Sequence, residues 1–172
     1  EHQFDKEKTV SIGAIAVAPT NRNIVWVGTG EANPRNSVSY GDGVYLSTDG
    51  GKSWKNKGLN KSFQISRIVI HPKNPNIVYV GALGRLYGPN EERGLFKTVN
   101  GGQTWEKVHY VNDKTGVIDV IMNPADPETL VIATWERQRD EFDSFKGNSK
   151  APAGADGYAP VKVHGSGGGI FK

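Results

Sequence analysis

The octet STDGGKSW at residues 47–54 returns 51 residues later as TVNGGQTW at 98–105. A near-copy at that distance constrains the fold more than any other feature of the chain, because it demands one structural unit that recurs. The surroundings repeat as well. The segments SIGAIAVAPTNRNIVWVGTGE (11–31), QISRIVIHPKNPNIVYVGALG (64–84) and GVIDVIMNPADPETLVIATWE (116–136) align without gaps, and Pro19, Pro72 and Pro124 fall 53 and 52 residues apart. Each is an apolar run, a Pro-centred turn with Asn or Asp, and a second apolar run. That pattern reads as two strands joined by a tight turn.

A third strand follows each pair: GVYLS (43–47), GLFKT (94–98) and GGIFK (168–172). A fourth begins at the tryptophan that closes each octet, Trp54 and Trp105. Four antiparallel strands recurring about every 40–50 residues are the signature of a β-propeller blade. The expected fold is therefore all-β, a partial propeller. Its expected bounds are about 9–58 for the first blade, 62–111 for the second, and 115–172 for an incomplete third with a flexible insertion at about 138–167. Closed propellers have about four to eight blades, so the missing blades are expected from further sequence or from an associated chain.

The composition agrees: 36% hydrophobic, 23% charged, with 22 glycines and 9 prolines, a turn-rich globular balance. The net charge is only +3 and no basic stripe is visible, so nucleic acid is not an expected partner. Cysteine is absent, which excludes disulfides and thiolate metal sites. His2, His71, His109 and His164 are scattered without metal-ligand spacing, so neither a metal nor a cofactor is expected. No run reaches the roughly 20 apolar residues of a membrane helix. The opening EHQFDKEK is polar and lacks an initiator Met, as at a processed or internal start.

Within the octets, Asp49 and Asn100 are short acceptors that fix tight turns. Gly51 and Gly102 supply backbone angles that side-chain-bearing residues avoid. Trp54 and Trp105 are expected to bury a large face between neighbouring sheets. Asn at position 100 keeps the acceptor but drops the charge, which suits a turn and would disable a catalytic acid. The pattern resembles the Asp-box, or bacterial neuraminidase repeat, with Ser47, Asp49, Gly51, Trp54 and Thr98, Asn100, Gly102, Trp105 at its positions. The wider unit, with YGPNEERGLFKTVNGGQTW (87–105), is similar to bacterial propellers related to the sortilin N-terminal domain and to those of xyloglucanase-type glycoside hydrolases. That resemblance implies a structural turn away from the active face, and an extracellular, periplasmic or cell-surface bacterial protein. It transfers no catalytic residue.

Turns alternate between two propeller faces, and one face carries all the long connections: 29–42, 82–93 and 134–167. Long loops on a rigid scaffold are where binding concentrates. The candidate ligand residues there are Glu31, Asn33, Arg35 and Asp42; Arg85, Tyr87, Glu91, Glu92 and Arg93; and Trp135, Glu136 and Arg137. Carboxylates beside arginines and exposed aromatics suit sugars and peptides. On the innermost strands, Arg67 and Asp119 occupy equivalent repeat positions and are expected to pair. The leading expectation is a non-catalytic recognition module that binds a polypeptide or a glycan. A glycoside hydrolase needs two carboxylates about 5–10 Å apart, and none of Glu31, Asp42, Glu91, Glu92 or Glu136 is singled out as one of them. An architectural role in a larger surface assembly is the third alternative.

Overall fold

The computed structural model of the chain describes residues 2–9, 11–33, 37–137 and 166–172. Residues 138–165, most of the expected insertion, lie outside the described residues. Among the described residues eleven strands form three antiparallel sheets. The first sheet is β1 (Ile12–Ala18), β2 (Asn21–Thr29), β3 (Val44–Ser47) and β4 (Lys55–Asn56), hydrogen-bonded in that order. The second is β5 (Ile65–Ile70), β6 (Val78–Ala82), β7 (Gly94–Thr98) and β8 (Glu106–His109). The third is β9 (Thr115–Asn123), β10 (Asp126–Glu136) and β11 (Gly169–Phe171). Among the described residues there is no helix, so none is long and apolar enough to cross a membrane.

The registers repeat with the sequence. Val27 pairs with Tyr45 and Gly28 with Val44; Val80 pairs with Phe96 and Gly81 with Leu95. A one-residue slip would turn every apolar side chain to the wrong face, so the shared register fixes which residues meet between blades. Trp26 and Val44 of the first blade share one apolar cluster with Ile65, Ile68 and Ile70 of the second. Tyr79 and Leu95 of the second share another with Val117 and Val120 of the third. Gly28 is required at the first of these contacts: a Cβ there would lie 2.3 Å from the Ile65 side chain.

Trp105 packs between the first two blades as expected, but the octet tryptophans are shallower than the fully buried Trp26. Trp54 and Trp105 are only half-buried, whereas Trp26 is 0% exposed. Each octet tryptophan directly precedes the outermost strand of its sheet, β4 or β8. Trp26 sits on β2, in the middle of its sheet, and is covered by the next blade. The Trp26 and Trp105 rings meet edge to face at 5.9 Å. On the inner strands Arg67 Nε and Asp119 Oδ1 are 3.4 Å apart, with both side chains about half exposed (55% and 49%). A pair so exposed is worth at most about 1 kcal/mol.

Candidate functional site

The two ends of the stack are built from different chemistry. At the octet end the side chains of Ser47, Asp49, Ser53, Thr98, Asn100 and Thr104 are committed to turns. Ser47 Oγ accepts from the N–H groups of Asp49 (3.3 Å) and Gly51 (2.8 Å) and donates to Asp49 Oδ1 at 2.7 Å. Asp49 then accepts from the Ser53 backbone N–H at 2.9 Å and the Ser53 hydroxyl at 2.6 Å. The second octet repeats this with Thr98 and Asn100, except that Asn100 Nδ2 donates to Thr104 Oγ1 at 2.8 Å. Each octet also grips the tight turn of its own blade, Gly50 N–H to Asn23 O at 3.0 Å and Gly101 N–H to Asn76 O at 3.1 Å. Hydrogen bonds from the Ser53 hydroxyl and backbone N–H, then from Ser47, hold the Asp49 carboxyl at about 2, below the ordinary carboxylate range. An acid held that firmly ionised by its own turn is a structural acceptor.

The opposite end gathers the long loops. Glu31 N–H reaches Ser39 O at 2.9 Å, and the Glu31 carboxylate accepts from Ser39 N–H at 3.2 Å, so the first loop closes on itself. Asp42 accepts from the Tyr45 hydroxyl at 2.7 Å. Burial, together with that carboxylate, raises the Tyr45 hydroxyl above the usual tyrosine value. Glu136 accepts from Gly167 N–H at 2.8 Å. Three of the five candidate carboxylates are thus bonded to their own loops or strand, and Glu91 stays exposed while Glu92 is half-buried. Asn33 is exposed, Tyr87 half-buried, and Arg35 lies outside the described residues.

Two candidate arginines are framework. Arg93 is 0% exposed, and its guanidinium donates to the carbonyls of Leu83 (2.6 Å), Arg85 (2.6 Å), Gly88 (3.2 Å) and Arg137 (3.3 Å). Burial lowers the Arg93 pKa to about 10, and the guanidinium is still cationic at neutral pH. Arg137 is 4% exposed and links three blades: it donates to Ala32 O at 3.3 Å and to Gln64 Oε1, and its guanidinium lies over the Trp135 ring at 5.5 Å. These charges hold loop backbones in place, which fixes what the loops present.

What they present is a stack of three side chains across the first two blades. The Tyr40 and Phe63 rings meet edge to face at 5.4 Å, and the Arg85 guanidinium lies 4.6 Å above the Phe63 ring. Tyr40 is 47% exposed and Arg85 is exposed. Phe63 occupies the left-handed region, φ 58°, which costs a residue with a side chain about 1–3 kcal/mol and concentrates at functional sites. The first loop holds it there: Gly41 N–H donates to Phe63 O at 2.8 Å, and Gly30 leaves room for that carbonyl, since a Cβ at 30 would lie 2.0 Å from it. Asn90 sets the other side, accepting from Arg85 N–H at 3.2 Å and donating to Lys61 O at 3.1 Å. Sequence reasoning overlooked Phe63. It lies in KSFQ (61–64), a connection between blades that ends on the long-loop face but is too short to draw notice. Its signal was an aromatic residue in a polar four-residue link.

Stacked antiparallel sheets, octet turns at one end and long loops at the other make the molecule an incomplete β-propeller. The chain belongs to the sortilin family: the Sortilin-Vps10 model, described as "Sortilin, neurotensin receptor 3", matches residues 42–156. Among solved structures it is similar to the GH74 enzyme of Niastella koreensis, with a TM-score of 0.51 and 20% identity over 73% of this chain and 18% of that one. It is also similar to an ancestral GH74 enzyme, with a TM-score of 0.55 and 22% identity over 77% of this chain and 18% of the other. The chain therefore spans about a fifth of the length of either enzyme. No curated protein matches it.

Proposed function

We propose that the chain is a recognition element of a secreted or cell-surface propeller protein, binding a polypeptide or a glycan on its long-loop face without cleaving it. The observation that carries this reading is the Tyr40–Phe63–Arg85 stack, an apolar ring platform edged by a fixed cation. Such a platform takes the flat face of a sugar or an aromatic side chain, while the free edge of the guanidinium takes a carboxylate or hydroxyl. The loop carboxylates support it further, because Glu31, Asp42 and Glu136 are engaged by neighbouring N–H and O–H groups. The family's description is that of a receptor, which fits recognition rather than turnover.

The test is binding of the chain to immobilised acidic and neutral polysaccharides and to a peptide library, with reducing ends counted in parallel. Phe63→Ala and Arg85→Ala should each weaken capture about five- to thirtyfold, since one stacking or cation–π contact is worth about 1–2 kcal/mol. Binding indifferent to both substitutions would overturn the assignment of the site. Sugar release that disappears when Glu91 or Glu92 is neutralised would replace the reading with a glycoside hydrolase, in line with the fold shared with the two GH74 enzymes.

A further inference from the structure

The chain contains one Asn–Gly pair, Asn100–Gly101, and it falls inside the second octet. An asparagine followed by glycine is chemically fragile, because glycine has no Cβ to keep its amide nitrogen from the asparagine side chain. The first octet carries Asp49–Gly50 at the same place. The second octet belongs to the middle blade, whose four strands are all described, and the bonds of Asn100 stay inside that blade. The folded turn holds both reacting groups. Asn100 Oδ1 accepts from the Thr98 hydroxyl at 2.9 Å and from the N–H groups of Gln103 (3.1 Å) and Thr104 (3.0 Å), and Nδ2 donates to Thr104 Oγ1 at 2.8 Å. The Gly101 N–H, source of the nucleophile, donates to Asn76 O at 3.1 Å.

We infer that Asn100 is a modification site: it deamidates when the second octet opens, and the refolded turn retains the aspartate product but rejects isoaspartate. In the opened turn the Gly101 amide nitrogen loses its proton and adds to Asn100 Cγ. The Cγ–Nδ2 bond breaks and the side-chain nitrogen leaves as ammonia. Water then opens the cyclic imide at either of its carbonyls, giving aspartate or isoaspartate, so a water is taken up for each ammonia released. Aspartate restores the chemistry of the first octet, where Asp49 accepts from the Ser53 hydroxyl at 2.6 Å and the Ser53 N–H at 2.9 Å. Thr104 offers the same two donors, since a hydroxyl can turn from acceptor to donor. Isoaspartate lengthens the main chain between Thr98 and Gly102, whose Oγ1 and N–H are joined at 3.0 Å, and that bond cannot survive the change. Asp49–Gly50 does not follow the same course at neutral pH. Its carboxyl is held ionised at about 2 and offers no leaving group.

Peptide mass mapping of the 172-residue chain after incubation at mildly alkaline pH, in buffer and in urea, tests the inference. In urea Asn100 should convert ahead of the other asparagines. In buffer its conversion should slow about tenfold or more, because the Gly101 and Asn100 hydrogen bonds must break first. Thr104→Ala frees Nδ2 at an exposed position and should speed conversion in buffer but not in urea. After removal of urea, the refolded fraction should carry aspartate at position 100 and the unfolded fraction isoaspartate. Asn100→Asp, made directly, should melt as wild type does. Equal rates in buffer and urea would overturn the inference, as would a rate in buffer that Thr104→Ala leaves unchanged. Other asparagines converting first in urea would overturn the choice of site. Isoaspartate in the refolded fraction, or a lower melting temperature for Asn100→Asp, would overturn the retention of aspartate.

Discussion

Replacing Trp26 with Ala should be the most damaging single truncation of an octet-blade aromatic. Trp26 is completely buried between the first and second blades, ringed by Ile65, Ile68 and Phe96, with Trp105 edge-on at 5.9 Å. Truncating a buried Trp or Phe costs about 3–5 kcal/mol in lost transfer energy and residual cavity. Among the described residues the indole N–H has no hydrogen-bond partner, so no hydrogen bond is lost with it and the middle of that range is expected. We expect about 4 kcal/mol, which for a chain of this size lowers the melting temperature by about 8–16 °C at roughly 2–4 °C per kcal/mol. Trp54→Ala is the control. That ring is half-buried, loses one edge contact with Phe4 and one hydrogen bond to Gln3, and should cost about 2 kcal/mol. Thermal unfolding of both variants by circular dichroism decides the matter. Equal shifts, or a larger shift for Trp54→Ala, would refute the placement of the inter-blade core at Trp26.

Two further outcomes follow from the same interactions. Asp49 is held at about 2, below its ordinary value of 3.8, so its contribution to stability is present above that ordinary value and is lost as pH falls through about 2. Asp49→Asn should fold normally, as the Asn100 turn does, and its melting temperature should decline less than that of wild type between pH 4 and pH 2; parallel declines would show that the carboxylate does not stabilise the turn. Arg93→Met should destabilise the chain by about 3 kcal/mol or more, because the carbonyls of Leu83, Arg85 and Gly88 are left without their buried donor. It should also weaken ligand capture through Arg85. Chemical denaturation measures the first effect, and an unchanged midpoint would show that Arg93 is not the brace of its loop.

The fold was legible because each blade spells its own strands, turns and register within about fifty residues, using local rules: apolar alternation, Pro–Asn turns, and an acceptor two residues before a glycine. Even the Arg67–Asp119 pair could be read by aligning repeats. The site was legible only in outline. Loop length located the face, but loop composition could not separate Arg93 and Arg137, which brace backbone, from Arg85, which meets solvent. That division depends on which carbonyls converge on a guanidinium after three loops have folded together. The depth of the octet tryptophans was not legible for the same reason, since a repeated Trp marks a position in the blade but not its depth between blades. Phe63 is the sharpest case. Its left-handed backbone is imposed by Gly41 and by the room at Gly30, more than twenty residues away in sequence. Strain of that origin has no local signature. Relieving it from the loop side gives a separable perturbation: Gly30→Ala would push on the Phe63 carbonyl and tilt the ring from beneath Arg85, whereas Phe63→Ala removes the ring and leaves the loop at rest. If the stack matters to binding through its geometry, both substitutions weaken capture, but only Gly30→Ala lowers the melting temperature substantially.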